Sequence, residues 1–171
     1  TATTLYGEKL IDPLKPLLIM PEVIDGTKWK QGKIWFADPE ERFVARAFSS
    51  VATLLFINTD QVKPEELRAA KDLLNTKWRG KISTEDPTTT GSGANAAARF
   101  YHDFGEDFVR KLYIEQKAVR TRDRRQMSDW LARGTQPICL SCREDDVRPL
   151  MKDGFKILEI FSLADMPASV N

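Results

Sequence analysis

The sequence is poor in the side chains that most often carry chemistry. It holds one histidine, two cysteines and three tyrosines among 171 residues. Two cysteines exclude a disulfide-built miniprotein, and a zinc site would need ligands beyond the lone His102. An excess of one charge is also missing: 26 Lys+Arg against 25 Asp+Glu leave a formal charge of +1. That balance argues against a general nucleic-acid or membrane-surface binder. The longest apolar runs, such as residues 50–57, fall far short of the ~20 that span a bilayer. No internal repeat or low-complexity tract is present. The chain opens Thr1-Ala2-Thr3-Thr4, with no Met and no charged-then-apolar leader, and residues 165–171 end without a capped helix. The expectation from both ends is a processed chain or a piece of a longer one.

What is present suits a folded domain. The chain is 42% hydrophobic and 30% charged, a composition that disfavours disorder. A chain of this length can bury roughly 70% of its unfolded surface, so one domain over residues 1–171 is expected. Pro13, Pro16, Pro21 and Pro39 break the first forty residues into short turns and loops. Strands are expected at 43–48 and 51–57, the second β-branched and aromatic-rich and the best candidate for a central strand. Pro64-Glu65-Glu66 opens an expected helix with Leu67, Ala70 and Leu74 as its apolar stripe. From Lys81 onward the pattern alternates: strand 81–84, helices 93–103 and 106–114 on either side of Gly105, strand 117–121, helix 123–133, strand 137–140, helix 145–152 and strand 156–161. This order predicts an α/β fold of three layers, a largely parallel sheet with helices on both faces.

Ligands in such sheets bind beyond the carboxyl ends of strands, where loops lead into helices. Three loops qualify. Asp86-Pro87-Thr88-Thr89-Thr90-Gly91-Ser92-Gly93-Ala94 follows a strand and opens an Ala-rich helix. Its glycines allow close backbone approach, its hydroxyls can donate, and the helix dipole favours an anion; the structural alternative is capping by Thr90 or Ser92. It lacks the Lys-Ser/Thr of a nucleotide-hydrolysing loop. In Arg120-Thr121-Arg122-Asp123-Arg124-Arg125, the strand-end residues Arg120 and Arg122 are candidates to clamp a carboxylate or phosphate. The alternative is a solvated helix start capped by Asp123. Cys139-Leu140-Ser141-Cys142-Arg143 admits a redox pair, half a zinc site or a local disulfide. Because Cys139 lies within an apolar strand, a buried unpaired Cys139 with Cys142 near the cleft is expected, a disulfide being the alternative in an oxidising compartment. His102, between Tyr101 and Asp103, reads as a surface or cap residue, and the four tryptophans read as packing residues first.

Three strings then stand in a telling order: Ile57-Asn58-Thr59, Asp72-Leu73-Leu74-Asn75-Thr76-Lys77-Trp78-Arg79-Gly80-Lys81-Ile82, and Asp86-Pro87 with Gly91-Ser92-Gly93. Gln116-Lys117, Leu131-Ala132-Arg133-Gly134 and the strand at 137–140 follow. Over residues 43–161 the chain resembles the family 1 extracellular solute-binding proteins, the periplasmic receptors of ATP-binding-cassette importers, in the branch that includes ferric-iron binders. The resemblance implies a periplasmic-binding-protein-like lobe of type II, the second of two, with the first lobe and a signal peptide outside this chain. It implies that Ser92-Gly93-Ala94 occupies the place where iron-binding relatives hold an anion. Those relatives also use two adjacent tyrosines, whereas Tyr6, Tyr101 and Tyr113 stand apart and Ser141-Cys142-Arg143-Glu144 fills the matching region. An organic anion, a phosphorylated compound or another small polar solute is therefore expected rather than tyrosinate-bound iron.

The resulting expectation is a non-enzymatic solute-binding lobe without cofactor or metal, periplasmic or else extracellular and membrane-associated. Its partners would be a small or anionic solute, a membrane permease and the absent first lobe, with no nucleic acid. The candidate contacts are Asp86, Thr89, Thr90, Gly91, Ser92, Gly93, Ala94, Arg120, Arg122, Cys142 and Arg143. Two rival classes are an effector-sensing domain of a transcriptional regulator and a thiol-redox enzyme using Cys139 and Cys142.

Overall fold

The computed structural model describes residues 2–46 and 51–170. The chain divides into two compact units, residues 1–50 and 51–171. In the first, proline and glycine keep every element short: α1 (Ala2–Gly7), α2 (Pro21–Ile24) and three 3-10 turns at Lys15–Leu17, Gly26–Lys28 and Lys30–Gly32. Strands β1 (Trp35–Phe36) and β2 (Ala45–Arg46) pair antiparallel. The expected strand 43–48 is thus seen only at β2, its residues 47 and 48 lying outside the described ones. The turn between the strands is organised by Asp38, whose carboxylate accepts from the amides of Arg42, Phe43 and Val44 at 2.9, 3.0 and 2.8 Å.

The second unit is built on a five-stranded sheet. The expected strand 51–57 is two strands, β3 (Val51–Ala52) and β4 (Leu55–Asn58). The chain changes partners between them: β3 pairs with β9 (Ser169–Val170), while β4 lies between two other strands. The remaining elements are β5 (Ile82–Glu85), α3 (Ser92–Arg110), β6 (Val119–Thr121), α4 (Arg124–Arg133), β7 (Ile138–Cys139), α5 (Glu144–Lys152) and β8 (Ile157–Ile160). The sheet order is β6-β5-β7-β4-β8. Strand β5 runs parallel to β6 and β7, and β4 runs antiparallel to β7 and β8. Four strands therefore share one direction and β4 opposes them, so the α/β sheet is mixed, with two parallel and two antiparallel pairings.

Side-chain alternation splits the core into two layers. Leu55, Ile57, Ile82, Ile138 and Leu140 join Leu73, Trp78, Phe100 and Leu112 on one face. Phe56 and Cys139 join Met127, Leu131, Val147 and Ile157 on the other. Helix α3 covers the first face together with the π-helical turn Lys111–Glu115 that continues it, and α4 and α5 cover the second. Gly105 breaks α3 with φ 79°, a conformation that a Cβ would strain, so the expected pair of helices flanking it is present as one kinked element. Asn58 ties the sheet to α4, its side-chain amide donating to the carbonyls of Leu131 and Ala132 at 3.0 and 3.1 Å.

The expected helix beginning at Pro64 does not form. Three 3-10 turns, Pro64–Glu66, Ala70–Leu74 and Thr76–Trp78, take its place. Carboxylates claim the amides that an α-helix would need: Asp72 accepts from Arg68 and Ala69, and Asp165 accepts from Ala70. The expected stripe is nonetheless apolar and inward, with Leu67 and Ala70 buried and Leu74 packed against the core.

Candidate functional site

Because β5, β6 and β7 run the same way, their carboxyl ends and the loops that follow gather along one edge. The register sets Glu85 beside Thr121 and Ser83 beside Cys139. Backbone bonds then extend the pairing into the loops: Asp86 donates to the Thr121 carbonyl at 3.0 Å, and Leu140 donates to the Ser83 carbonyl at 3.0 Å.

Helix α3 starts against Glu85. The Glu85 Oε2 accepts from the Ser92 hydroxyl at 2.5 Å and from the Gly93 amide at 3.2 Å. Gly93 permits this contact, since a Cβ there would lie 2.2 Å from the Glu85 carbonyl oxygen. Burial pushes the Glu85 carboxyl up, but the Ser92 hydroxyl, the Gly93 and Ser92 amides and the Arg124 charge outweigh it, and the group is held below its ordinary value. The Glu85 amide is fixed in turn by Ser141, whose Oγ accepts it at 2.6 Å and lies 3.1 Å from the Thr84 hydroxyl.

Asp86 organises the turn that follows. Its Oδ1 accepts from the amide and hydroxyl of Thr88 at 3.0 and 2.6 Å, and its Oδ2 pairs with Arg122 at 2.9 to 3.0 Å. The Thr88 hydroxyl and amide, then Arg122, lower its carboxyl to about 2. The Thr89 hydroxyl donates to the Asp86 carbonyl at 3.1 Å. Beyond β6, Asp123 caps α4 by accepting from the amides of Arg125 and Gln126. Arg124 makes a bidentate pair with Asp146 of α5 at 2.9 and 2.8 Å. An open concavity of about 710 Å³ is lined there by Arg122, Asp123, Arg124, Arg125 and Asp146.

Of the candidate contacts, the structure brings together Asp86 with Arg122 and Thr89, and Ser92 with Gly93 through Glu85. Gly91 accepts from the Asn95 amide in the first turn of α3, and Ala94 is half-buried beside it. Thr90, Arg120 and Arg143 are exposed. Neither Arg120 nor Arg143 forms an ion pair among the described residues, although the Arg143 charge helps to hold the Asp146 carboxyl down after Arg124 has done most of it. Cys142 is a correction. It forms a disulfide with Cys139, the Cα atoms 5.7 Å apart, and packs in the second core layer. The expected unpaired Cys139 is corrected with it. With strand β7 and the start of α5 separated by only a short loop, the two sulfurs meet inside the core rather than at the cleft.

Sequence reasoning did not single out Glu85, Ser141 or Asp146. The available signals were an acidic residue directly before the Asp-Pro turn and a hydroxyl enclosed by the two cysteines. His102 bonds Asp103 on the surface. Among the described residues no group of three or more His, Cys, Asp and Glu side chains is disposed to hold a metal ion.

Solved structures share this architecture. A two-component system protein that mediates signal transduction superposes with a TM-score of 0.63 at 17% identity, over 90% of this chain and 51% of its own. The ferric binding protein of Campylobacter jejuni gives 0.61 at 14%, over 99% and 54%. The periplasmic binding protein AfuA of Actinobacillus pleuropneumoniae, solved with fructose-6-phosphate, gives 0.58 at 19%, over 98% and 53%. The fold is that of the periplasmic binding proteins, and the chain spans about half the length of the solved structures it matches. No protein-family profile and no curated sequence matches it.

Proposed function

We propose that this chain is a non-enzymatic, solute-binding lobe of a periplasmic receptor serving an ATP-binding-cassette importer. The observation that carries the reading is the convergence of the loops after β5, β6 and β7 on one edge of a sheet whose fold is shared with periplasmic binding proteins. Thr90, the start of α3 and the charges of Arg120 and Arg143 meet a small polar or anionic solute there, while Arg122 is held by Asp86 at its margin. Capture works by hinge closure against a second lobe, and a membrane permease reads the closed form. A solute drives closure only by binding that form more tightly. The Cys139–Cys142 disulfide supports an oxidising compartment such as the periplasm.

A thermal-shift screen of anions and small metabolites, followed by calorimetry, tests the reading. The solute found should bind this chain much more weakly than it binds a two-lobed protein containing it, because half of the contacts belong to the other lobe. Equal affinity would remove the two-lobe mechanism. The likeness to a two-component system protein favours a second reading, a sensor lobe in signal transduction. Solute-dependent stimulation of a permease, rather than of a kinase, separates the two.

A further inference from the structure

The start of α3 is where the loop composition points to an anion, yet the donors there are already engaged by a side chain of the protein. Resting on the reading that this edge binds a solute, we propose that Glu85 is its specificity-determining residue, an internal anion that closes the α3 donors to anionic solute groups and selects groups that donate hydrogen bonds. The Ser92 hydroxyl and the Gly93 amide both point to Glu85 Oε2. An incoming phosphate or carboxylate has to displace that oxygen, and then also faces the repulsion of the carboxylate it has displaced.

Displacement is opposed by the backbone. The Glu85 amide is held by Ser141 Oγ, and Ser141 lies within the loop closed by the Cys139–Cys142 disulfide. A Cβ at Gly91 would meet Glu85 Oε2 at 3.0 Å, so the loop is packed closely around the carboxylate. The ionised form is the resident one, as its lowered pKa requires. A carboxylate accepts at about four lone-pair positions, so Glu85 still has capacity for a hydroxyl or ammonium group of a solute. Anionic groups are left to the exposed arginines Arg120 and Arg143, since Arg122 is engaged by Asp86.

The test follows the Gly93 amide by two-dimensional NMR while the chain is titrated with inorganic phosphate. The wild-type resonance should not move, whereas Glu85→Ala should give a saturable shift with affinity raised at least about tenfold. Glu85→Gln keeps an oxygen for Ser92 and Gly93 but drops the charge, so it should show a smaller gain of the same sign and serves if the alanine variant does not fold. A phosphate-induced Gly93 shift of equal size in the wild type, or no gain in either variant, overturns the proposal. Its failure is separable from that of the solute-binding reading. A screened solute that moves residues 86–94 of the wild type upholds that reading however phosphate behaves. A phosphate gain in the variants without any wild-type solute removes that reading, and with it the selection of a solute, and leaves only the closure of the α3 donors by Glu85 standing.

Discussion

The first fifty residues and the rest of the chain use apolar residues in opposite ways. In the first unit Leu10, Leu17, Ile19 and Ile24 are each more than 60% exposed, and the buried residue among those described is a carboxylate, Asp38. In the second unit Phe56, Ile57, Ile82, Leu131 and Ile138 are fully enclosed in two layers. The elements explain the contrast. A four-residue helix or a two-residue strand exposes nearly all of its side chains, while a strand flanked on both faces exposes almost none. Local polar contacts therefore organise the first unit, and layered packing stabilises the second.

Substitutions break that comparison in order of size. Phe56→Ala should lower the unfolding free energy by about 3–5 kcal/mol in urea denaturation, since it empties a site at the centre of the second layer. Replacing Cys139 and Cys142 by alanine should cost about 2 kcal/mol, because the closed loop is short and the chain-entropy effect scales with its logarithm. Ser141→Ala should cost about 1–3 kcal/mol by leaving the Glu85 amide without its acceptor, and it should move the Gly93 resonance as well. In the first unit Ile19→Ala should change stability by no more than about 0.5 kcal/mol. A loss there as large as that of Phe56→Ala would erase the contrast.

Acid gives a fifth check. Asp86 has its folded pKa lowered from 3.8 to about 2. The stability this supplies is complete above the unfolded value and is lost as pH falls through the folded one. The pH dependence of unfolding in that window should flatten in Asp86→Asn, and an unchanged slope would show that the Thr88 and Arg122 contacts are not maintained in solution.

The sequence was most readable where one physical rule acted alone. Alternation of strand and helix after Lys81 predicted β5 to β8 with α3 to α5, and Asp123 and Gly134 marked a cap and a helix end that the structure retains, while Gly105, read as a break between two helices, kinks a single one. The segment after Pro64 was less readable, because its apolar stripe suits a helix while Asp72 and Asp165 take the amides such a helix would use. The chain from Val51 to Ile57 carried a strand pattern but no sign of the partner change that divides it. At the site, the glycine-rich turn was visible and its occupant was not. Whether α3 meets a solute or Glu85 depends on how β5 aims its last side chain, which local composition does not encode. The two cysteines were likewise visible, but Cys139 was expected unpaired, and the short path between β7 and α5 instead brings it to Cys142.

The central claim is that the edge formed by the carboxyl ends of β5, β6 and β7 receives the solute. Backbone-amide shift mapping with a solute obtained from the thermal-shift screen tests it most directly. The account predicts the largest shifts at residues 86–94, 120–125 and 141–143. Shifts centred instead on the groove between α4 and α5, at Ala132, Leu150 and Phe155, would contradict it.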